Sequence, residues 1–186
     1  MTTAVVLIDL QQAIFRGRGG GRQAEADAAL EAAGARAAEL LAAARRAGLP
    51  VIHVQHDGPA GHRLAKGSPG WALRDQTAPA GGEVVIHKTA SDSFLGTALE
   101  ATLRRVGAGR IVIAGCMSDF CIDTTCRSAV AHGFDVVLVA DGHATVDNGV
   151  LRLDQIIAHH NATLDGFDAG NHAVSVRPAA AVIAGF

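Results

Sequence analysis

The chain has 186 residues, 18 of them acidic and 16 basic, which gives a formal charge of −2 and a pI near 6.5. Apolar residues make up 49% of it, so the chain can bury a full core and is not disordered. The near-neutral charge argues against a protein that coats nucleic acid or an anionic membrane surface, and no apolar run is long enough to cross a bilayer.

Three cysteines and the first apolar run bear on the cellular compartment. The cysteine count is odd, and the run at residues 4–8 has no basic leader and stops at Asp9, which is unlike a signal peptide. We therefore expect Cys116, Cys121 and Cys126 to be reduced thiols in a cytoplasmic protein. Their C-x4-C-x4-C spacing matches no zinc module.

Strand-like and helix-like segments alternate along the chain. Continuous apolar runs, typical of strands covered on both faces, are followed by stretches with helical periodicity. The predicted strands lie at residues 4–8, 51–55, 84–86, 110–114, 134–140 and 172–176, and the predicted helices at 24–47, 94–106, 120–131 and 151–164. This alternation predicts an α/β fold of three layers with a mostly parallel central sheet. No repeat or linker interrupts it, so residues 1–186 are expected to form a single domain.

Three reactive side chains follow strands that end at the same edge of this predicted sheet. Asp9 ends the first strand, Lys88 follows the third, and Cys121 lies after the fourth, where a helix begins. Open parallel sheets bind ligands beyond the carboxyl ends of their strands, so a shared site is expected here. A helix N-terminus and a nearby ammonium lower the pKa of a thiol, which predicts a Cys121 thiolate held by Lys88, with Asp9 accepting the proton. Backbone N–H groups in the turn before Cys121 are expected to bind an oxyanion.

The same residues carry a resemblance to a known family. The chain resembles the isochorismatase-like cysteine hydrolases, which include nicotinamidases, N-carbamoylsarcosine amidohydrolase and isochorismatases. The matching motifs are Leu-Ile-Asp-Leu-Gln-Gln at residues 7–12, Lys88 followed by Ser93-Phe94 and Thr97-x-Leu99, and Gly-Cys-Met-Ser-Asp-Phe-Cys-Ile-Asp-Thr-Thr-Cys-Arg-Ser-Ala at residues 115–129. They occur in the family's order and cover almost the whole chain. The resemblance implies the family's Rossmann-like hydrolase fold.

The resemblance also implies a role for each residue of the site. Cys121 would be the nucleophile, Asp9 the general base and then the general acid, and Lys88 the charge that holds the thiolate. Family members carry a cis peptide four residues before the nucleophile, which corresponds here to the bond between Cys116 and Met117. The N–H groups of Met117 and Cys121 would then form the oxyanion hole. Because these hydrolases commonly assemble into dimers, tetramers or larger rings, a homo-oligomer is expected.

One departure from the family pattern concerns a metal. Nicotinamidases carry an Asp-x-His metal site just after the second strand, whereas the corresponding residues here are His56 and Asp57, in the reverse order, with His62 further on. We therefore expect no metal and no cofactor, and a ligand set of His56, Asp57 and His62 is the alternative.

A second departure concerns the substrate pocket. The aromatic residue that usually follows the first family motif is shifted or replaced here by Ile14, with Phe15 next. Trp71 lies in the long segment after the second strand, and Phe120 flanks the expected nucleophile. We expect the pocket to be lined by these four residues: Ile14, Phe15, Trp71 and Phe120.

These observations predict a cysteine hydrolase that cleaves a C–N bond of a small amide, ureide or lactam through a covalent thioester. Two alternatives stay open: an isochorismatase-type hydrolase that cleaves a vinyl ether with Asp9 as the acid and without need of Cys121, and a flavodoxin-like binding module without catalysis. No phosphate loop follows the first strand, and the chain has no Tyr and one Trp, which disfavours the binding module. The expected partners are a small substrate and water, with no nucleic acid and no membrane.

Overall fold

The computed structural model describes residues 2–186, which form one seven-stranded sheet with helices on both faces. The strands are β1 (Thr2–Ile8), β2 (Val51–His56), β3 (Val84–Lys88), β4 (Ala108–Cys116), β5 (Asp135–Ala144), β6 (Asp168–Ala169) and β7 (His172–Arg177). The helices are α1 (Gln23–Arg46), α2 (Leu99–Arg105), α3 (Asp123–Ala131), α4 (Leu153–Leu164) and α5 (Ala179–Ile183). Short 3₁₀ turns lie at Gly20–Arg22 and Asp75–Thr77, and a π-helical turn at Ser118–Ile122. None of these helices is long and apolar enough to span a bilayer.

The strand order places β1 at the centre of the sheet. The order is β3-β2-β1-β4-β5-β7-β6, and every pair is parallel except the short β6–β7 pair. In the sheet, β2 and β3 lie on one side of β1, whereas β4 and β5, which come later in the chain, lie on the other side of β1. A topological switch point therefore lies between β1 and β4, where Ile8 is paired with Gly115. Ligand sites of open α/β sheets form at such a point.

The core consists of two apolar clusters, one on each face of the sheet. Alternate residues of a strand point to opposite faces, so Val5 and Leu7 of β1 pack with α1 and α5, whereas Val6 and Ile8 pack with α2 and α3. Both sets are almost fully buried, which explains why β1 is a continuous apolar run rather than an alternating one. The predicted three-layer α/β fold with a mostly parallel sheet is confirmed.

The second helix begins later than its sequence pattern predicts. The prediction placed its start at residue 94, whereas α2 starts at Leu99. The preceding residues are held in turns by side chains: Asp92 Oδ1 accepts the N–H of Phe94 at 2.8 Å, and Thr97 Oγ1 donates to the carbonyl of Ser93 at 2.6 Å. Short polar side chains of this kind compete with the helical hydrogen-bond ladder, so the segment stays a loop.

Candidate active site

Three strand ends assemble the site at the switch point. Asp9 is the first residue after β1, and its backbone adopts a left-handed conformation with φ of 51° while its N–H donates to the carbonyl of Val54 at 2.9 Å. Lys88 is the last residue of β3, and Cys121 lies in the π-helical turn that follows β4. The parallel register of β1, β2, β3 and β4 brings all three to one edge.

Lys88 joins the carboxylate and the thiol. Its Nζ lies 2.8 Å from Oδ2 of Asp9 and donates to Sγ of Cys121 at 3.1 Å. Nζ also donates to the carbonyls of Ala90 at 2.9 Å and Ser91 at 3.4 Å, and these contacts fix the ammonium. The side chains of Lys88 and Asp9 are 0% and 1% exposed, so water barely screens their attraction. Within residues 2–186 neither oxygen of Asp9 accepts a well-aligned hydrogen bond, which leaves lone pairs available for a proton.

The surroundings of Cys121 reverse the expected direction of its pKa. Burial and the negative charge of Asp9 raise the pKa of the Cys121 thiol to about 12, and the ammonium of Lys88 offsets only part of this. The sequence-based prediction of a lowered thiol pKa is therefore wrong, because dry surroundings and a carboxylate both disfavour the thiolate. Burial alone would lower the pKa of Lys88, but the charge of Asp9 raises it above its ordinary value. The raised pKa favours a neutral Cys121 thiol, and Lys88 Nζ lies 2.8 Å from Asp9 Oδ2 beside it.

The turn between β4 and α3 brings backbone groups next to the thiol. The peptide bond between Cys116 and Met117 is cis, and Phe120 and Ile122 both donate their N–H groups to the carbonyl of Met117 at 3.1 Å. Met117 and Cys121 both border a small cavity, which is described next. Their N–H groups stay the predicted donors for an oxyanion.

A cavity of about 160 Å³ opens beside the thiol. Its volume is well below the roughly 300–1,000 Å³ of sites for drug-sized ligands, so it suits a small substrate. A larger groove of about 550 Å³ lies at the opposite edge of the sheet, where none of its described lining residues is a cysteine, histidine or lysine. The small cavity is bordered by Asp9, Ile14, Arg18, His56, His62, Arg63, Leu64, Ser91, Met117, Phe120 and Cys121.

Two of the four residues predicted to line the pocket lie elsewhere. Ile14 and Phe120 border the cavity, whereas Phe15 is 1% exposed and packs in the core under α1. Phe15 follows Ile14 directly in a turn that directs the two side chains to different sides. Trp71 is held away from the cavity because its Nε1 donates to Asp57 Oδ1 at 2.8 Å and its ring stacks on His87.

His56, the last residue of β2, and His62 do not form a common site with Asp57. His56 and His62 border the cavity with ring centroids 6.1 Å apart, but Asp57 is turned toward Trp71 and toward Lys66, whose Nζ donates to it at 2.6 Å. Among residues 2–186 no group of three metal-ligating side chains has the geometry to hold an ion. The alternative ligand set of His56, Asp57 and His62 is therefore not assembled.

A buried hydrogen-bond chain lies behind the turn between β4 and α3, and it was not apparent from the sequence. Ser118 Oγ lies 2.7 Å from His143 Nδ1, and His143 Nε2 lies 2.8 Å from Asn161 Oδ1. Asn161 donates its amide N–H to the carbonyl of Ala140 at 3.0 Å, so its oxygen accepts from His143 and the hydroxyl of Ser118 donates to Nδ1. Burial lowers the pKa of His143, which suits this neutral tautomer. The chain supports the turn that carries Met117.

The loop that follows Lys88 is tied to α3. Ser93 Oγ lies 2.9 Å from Thr125 Oγ1, and Ser128 Oγ donates to Asp92 Oδ2 at 2.9 Å. These contacts hold the loop that supplies Ala90 to the ammonium of Lys88 against the helix that follows the thiol. Lys88 and Cys121 are thus both positioned by these contacts between the loop and α3.

The fold is a three-layer α/β architecture with the Cys121 thiol at its topological switch point. The family model described as the isochorismatase domain matches residues 3–166, so the chain belongs to the isochorismatase family. It is 38% identical over 146 residues to streptothricin hydrolase of Streptomyces noursei, covering 77% of this chain and 50% of that protein. It is 33% identical over 120 residues to maleamate amidohydrolase of Pseudomonas putida, covering 56% of each. The chain thus spans about half the length of these two relatives.

A solved structure shows the same fold. The crystal structure of an isochorismatase from Pseudomonas putida KT2440 superimposes with a TM-score of 0.82 at 31% identity. The match covers 96% of this chain and 89% of that one. The two structures therefore share their fold along nearly the whole of this chain.

Proposed function

We propose that this protein is a cysteine amidohydrolase that cleaves the C–N bond of a small amide, ureide or lactam through a thioester on Cys121. One observation carries the proposal: Lys88 Nζ lies 3.1 Å from Cys121 Sγ and 2.8 Å from Asp9 Oδ2 at the wall of a small cavity. A nucleophile, a proton acceptor and a fixed cation are the groups that acyl transfer needs. Relatives named as an amidohydrolase and as streptothricin hydrolase support it.

The first half-reaction would form the thioester. Asp9 takes the proton of the Cys121 thiol while Sγ attacks the carbonyl carbon, and the N–H groups of Met117 and Cys121 hold the oxygen as it becomes negative. Asp9, now protonated, gives its proton to the nitrogen of the leaving group. The C–N bond breaks, and ammonia or an amine leaves; with a lactam the ring opens and the amine stays attached to the acyl group. Lys88 stays positively charged throughout and stabilises whichever of its two neighbours is the anion.

The second half-reaction would release the acid. Asp9 takes a proton from a water molecule, whose oxygen attacks the thioester carbon. The oxyanion forms again in the same hole and collapses with cleavage of the C–S bond. Sulfur recovers its proton from Asp9, which restores the neutral thiol and the Asp9–Lys88 ion pair.

The test is a comparison of Cys121→Ala with Cys126→Ala. Cys126 is fully buried in α3 and lies outside the cavity, so its substitution controls for the loss of a thiol from the same part of the chain. Across a panel of small carboxamides, ureides and lactams, we expect Cys121→Ala to lower the turnover number by at least about 10⁴-fold. Cys126→Ala is expected to retain activity. Quenched wild-type enzyme should carry the acyl group of its substrate on the Cys121 peptide.

Two results would contradict the proposal. Amide hydrolysis that persists in Cys121→Ala would remove the thioester from the reaction. Cleavage of a vinyl ether by Cys121→Ala, combined with its loss in Asp9→Asn, would instead establish acid catalysis by Asp9.

A further inference from the structure

The turn that carries Cys121 is anchored to the end of β5 at two successive residues. Ser118 begins this π-helical turn, and its Oγ lies 2.7 Å from Nδ1 of His143. The next residue, Asp119, accepts a hydrogen bond from Oγ1 of Thr145. Ser118, His143 and Thr145 are 0%, 3% and 0% exposed, so water barely competes for the two hydroxyl groups and the imidazole. Side chains therefore fix the turn to the sheet in addition to the backbone.

His143 also joins the turn to α4. Its Nε2 lies 2.8 Å from Oδ1 of Asn161, whose amide N–H donates to the carbonyl of Ala140 at 3.0 Å. Since the oxygen of Asn161 faces the ring, Nε2 carries the hydrogen and Nδ1 is the acceptor for Ser118. Both ring nitrogens are thus occupied, and His143 does not border the cavity beside Cys121. Any effect of His143 on the reaction is therefore exerted through the turn.

The anchored residue lies between the two backbone groups that are proposed to bind the oxyanion. Met117 directly precedes Ser118, and Cys121 follows in the same turn. The carbonyl of Met117 accepts the N–H groups of Phe120 and Ile122, so the turn is held together internally and its position relative to the sheet depends on its anchors. Oxyanion donors must lie about 2.7–3.1 Å from the oxygen that becomes negative. A displacement of about 1 Å costs about 10²-fold in rate.

We propose that His143 is a positioning residue for the oxyanion step. By accepting the hydroxyl hydrogen of Ser118, it holds the N–H groups of Met117 and Cys121 toward the oxygen of the attacked carbonyl. The inference rests on the proposed function and deepens it, because it names a residue outside the cavity on which acyl transfer depends. Loss of the contact with Ser118 should slow attack on a carbonyl without changing the reactivity of the thiol, because it is Lys88 that contacts Sγ.

The test compares two small reagents that label Cys121 by different chemistry, each after the thiol has given up its proton. With p-nitrophenyl acetate, Sγ attacks the acetyl carbon, the carbonyl oxygen becomes negative, and p-nitrophenolate leaves as the acetyl thioester forms. With methyl methanethiosulfonate, Sγ attacks the sulfur that carries the methyl group, the S–S bond breaks and methanesulfinate leaves, so that a methyl disulfide forms without an oxyanion on carbon. Peptide mass spectrometry measures both rates at Cys121, while Cys116 and Cys126 are 0% exposed. The ratio of the acetylation rate to the disulfide rate therefore reports the oxyanion step.

Two substitutions of His143 each keep one of its two hydrogen bonds. In His143→Asn the amide oxygen takes the place of Nδ1 and accepts from Ser118, whereas in His143→Gln the amide nitrogen takes the place of Nε2 and donates to Asn161. His143→Gln is expected to lower the ratio of rates at least about tenfold, and Ser118→Ala should do the same. His143→Asn should keep a ratio close to that of the wild type. His159→Gln, at an exposed histidine of α4 that does not border the cavity, is the matched control and should leave both rates unchanged.

A purely structural role of His143 predicts that both rates change by the same factor, or that His143→Asn and His143→Gln give equal ratios, and either result overturns the positioning role. So does the absence of acetylation at Cys121 in the wild-type protein, because the turn would then stabilise no oxyanion. If the variants do not fold, nitrogen-15 NMR of histidine-labelled wild-type protein decides. A hydrogen on Nε2 of His143 is expected, whereas a hydrogen on Nδ1 would reverse the chain of hydrogen bonds and overturn the inference. None of these results depends on amide turnover, whose persistence in Cys121→Ala is what would overturn the proposed function.

Discussion

At the scale of single residues, Lys88 contacts both Asp9 and Cys121, and the proposed mechanism passes a proton between these two beside the fixed ammonium. Moving the proton from Sγ to Asp9 turns a carboxylate–ammonium pair into a thiolate–ammonium pair without changing the charge of the site. Burial penalises a net charge much more than such an internal transfer. A thiol whose pKa is raised to about 12 can therefore serve as the proposed nucleophile at neutral pH, provided that Asp9 takes the proton.

Asp9→Asn is expected to separate ionisation of the thiol from catalysis. The negative charge of Asp9 raises the pKa of Cys121 and the charge of Lys88 lowers it, so removal of the carboxylate lowers that pKa. The pH midpoint for iodoacetamide alkylation of Cys121 should move downward by at least about 1 pH unit. Hydrolysis should nevertheless fall by about 10²–10⁴-fold, because the proton acceptor is lost. Peptide mass spectrometry across a pH series measures the midpoint, and an unchanged or higher midpoint would contradict this electrostatic account.

At the scale of elements, the carboxyl end of β4 must approach β1 closely to place the thiol beside Asp9. Gly115 pairs with Ile8 and has φ of 136°, a backbone conformation that side-chain-bearing residues rarely adopt. A Cβ at this position would lie 2.0 Å from the carbonyl oxygen of Ile8. The glycine therefore allows β1 and β4 to stay paired up to the start of the turn that carries Cys121.

Gly115→Ala is expected to lower the free energy of unfolding by about 3–5 kcal/mol, since both the backbone conformation and the space oppose a side chain. Gly81→Ala is the matched control: Gly81 is exposed, and a Cβ there meets nothing within 4 Å. Its effect should be about 0.5 kcal/mol or less. Urea denaturation followed by circular dichroism compares the two, and similar midpoints for both variants would refute the close-approach argument.

At the scale of the whole molecule, both core clusters share the strands of one sheet. Residues of β4 belong to the two clusters alternately, Val112 to the one under α1 and Ile113 to the one under α3. The same strands contribute to both clusters. Loss of one helix layer would therefore expose one face of strands whose other face packs in the remaining cluster. This supports the interpretation of residues 1–186 as one domain.

Urea unfolding is expected to show a single transition for both cores. Cys116 belongs to the cluster under α1 and Cys126 to the cluster under α3, and both thiols are 0% exposed. Each should become alkylated only at the urea concentration at which circular dichroism is lost, which is the test of coincident transitions. Exposure of one thiol at a clearly lower concentration than the other would show that one helix layer opens alone.

The fold class and the positions of three site residues could be predicted from the amino-acid sequence. Apolar runs such as residues 4–8 are local features, and a chain of alternating strands and helices has few ways to close into a sheet. Since parallel strands end at one edge, the positions of Asp9, Lys88 and Cys121 after their strands already predicted that they meet. The later start of α2 was missed because side chains such as Asp92 form turns that compete with the helical pattern.

The chemical surroundings of these residues could not be predicted from the sequence, because they depend on tertiary contacts. The direction of the thiol pKa depends on how much water reaches Cys121 and on its proximity to Asp9, which is 112 positions away in the chain. Ile14 at the cavity and Phe15 in the core are neighbours with opposite surroundings. Burial and through-space charge arise from segments that are remote in sequence, so no local pattern encodes them.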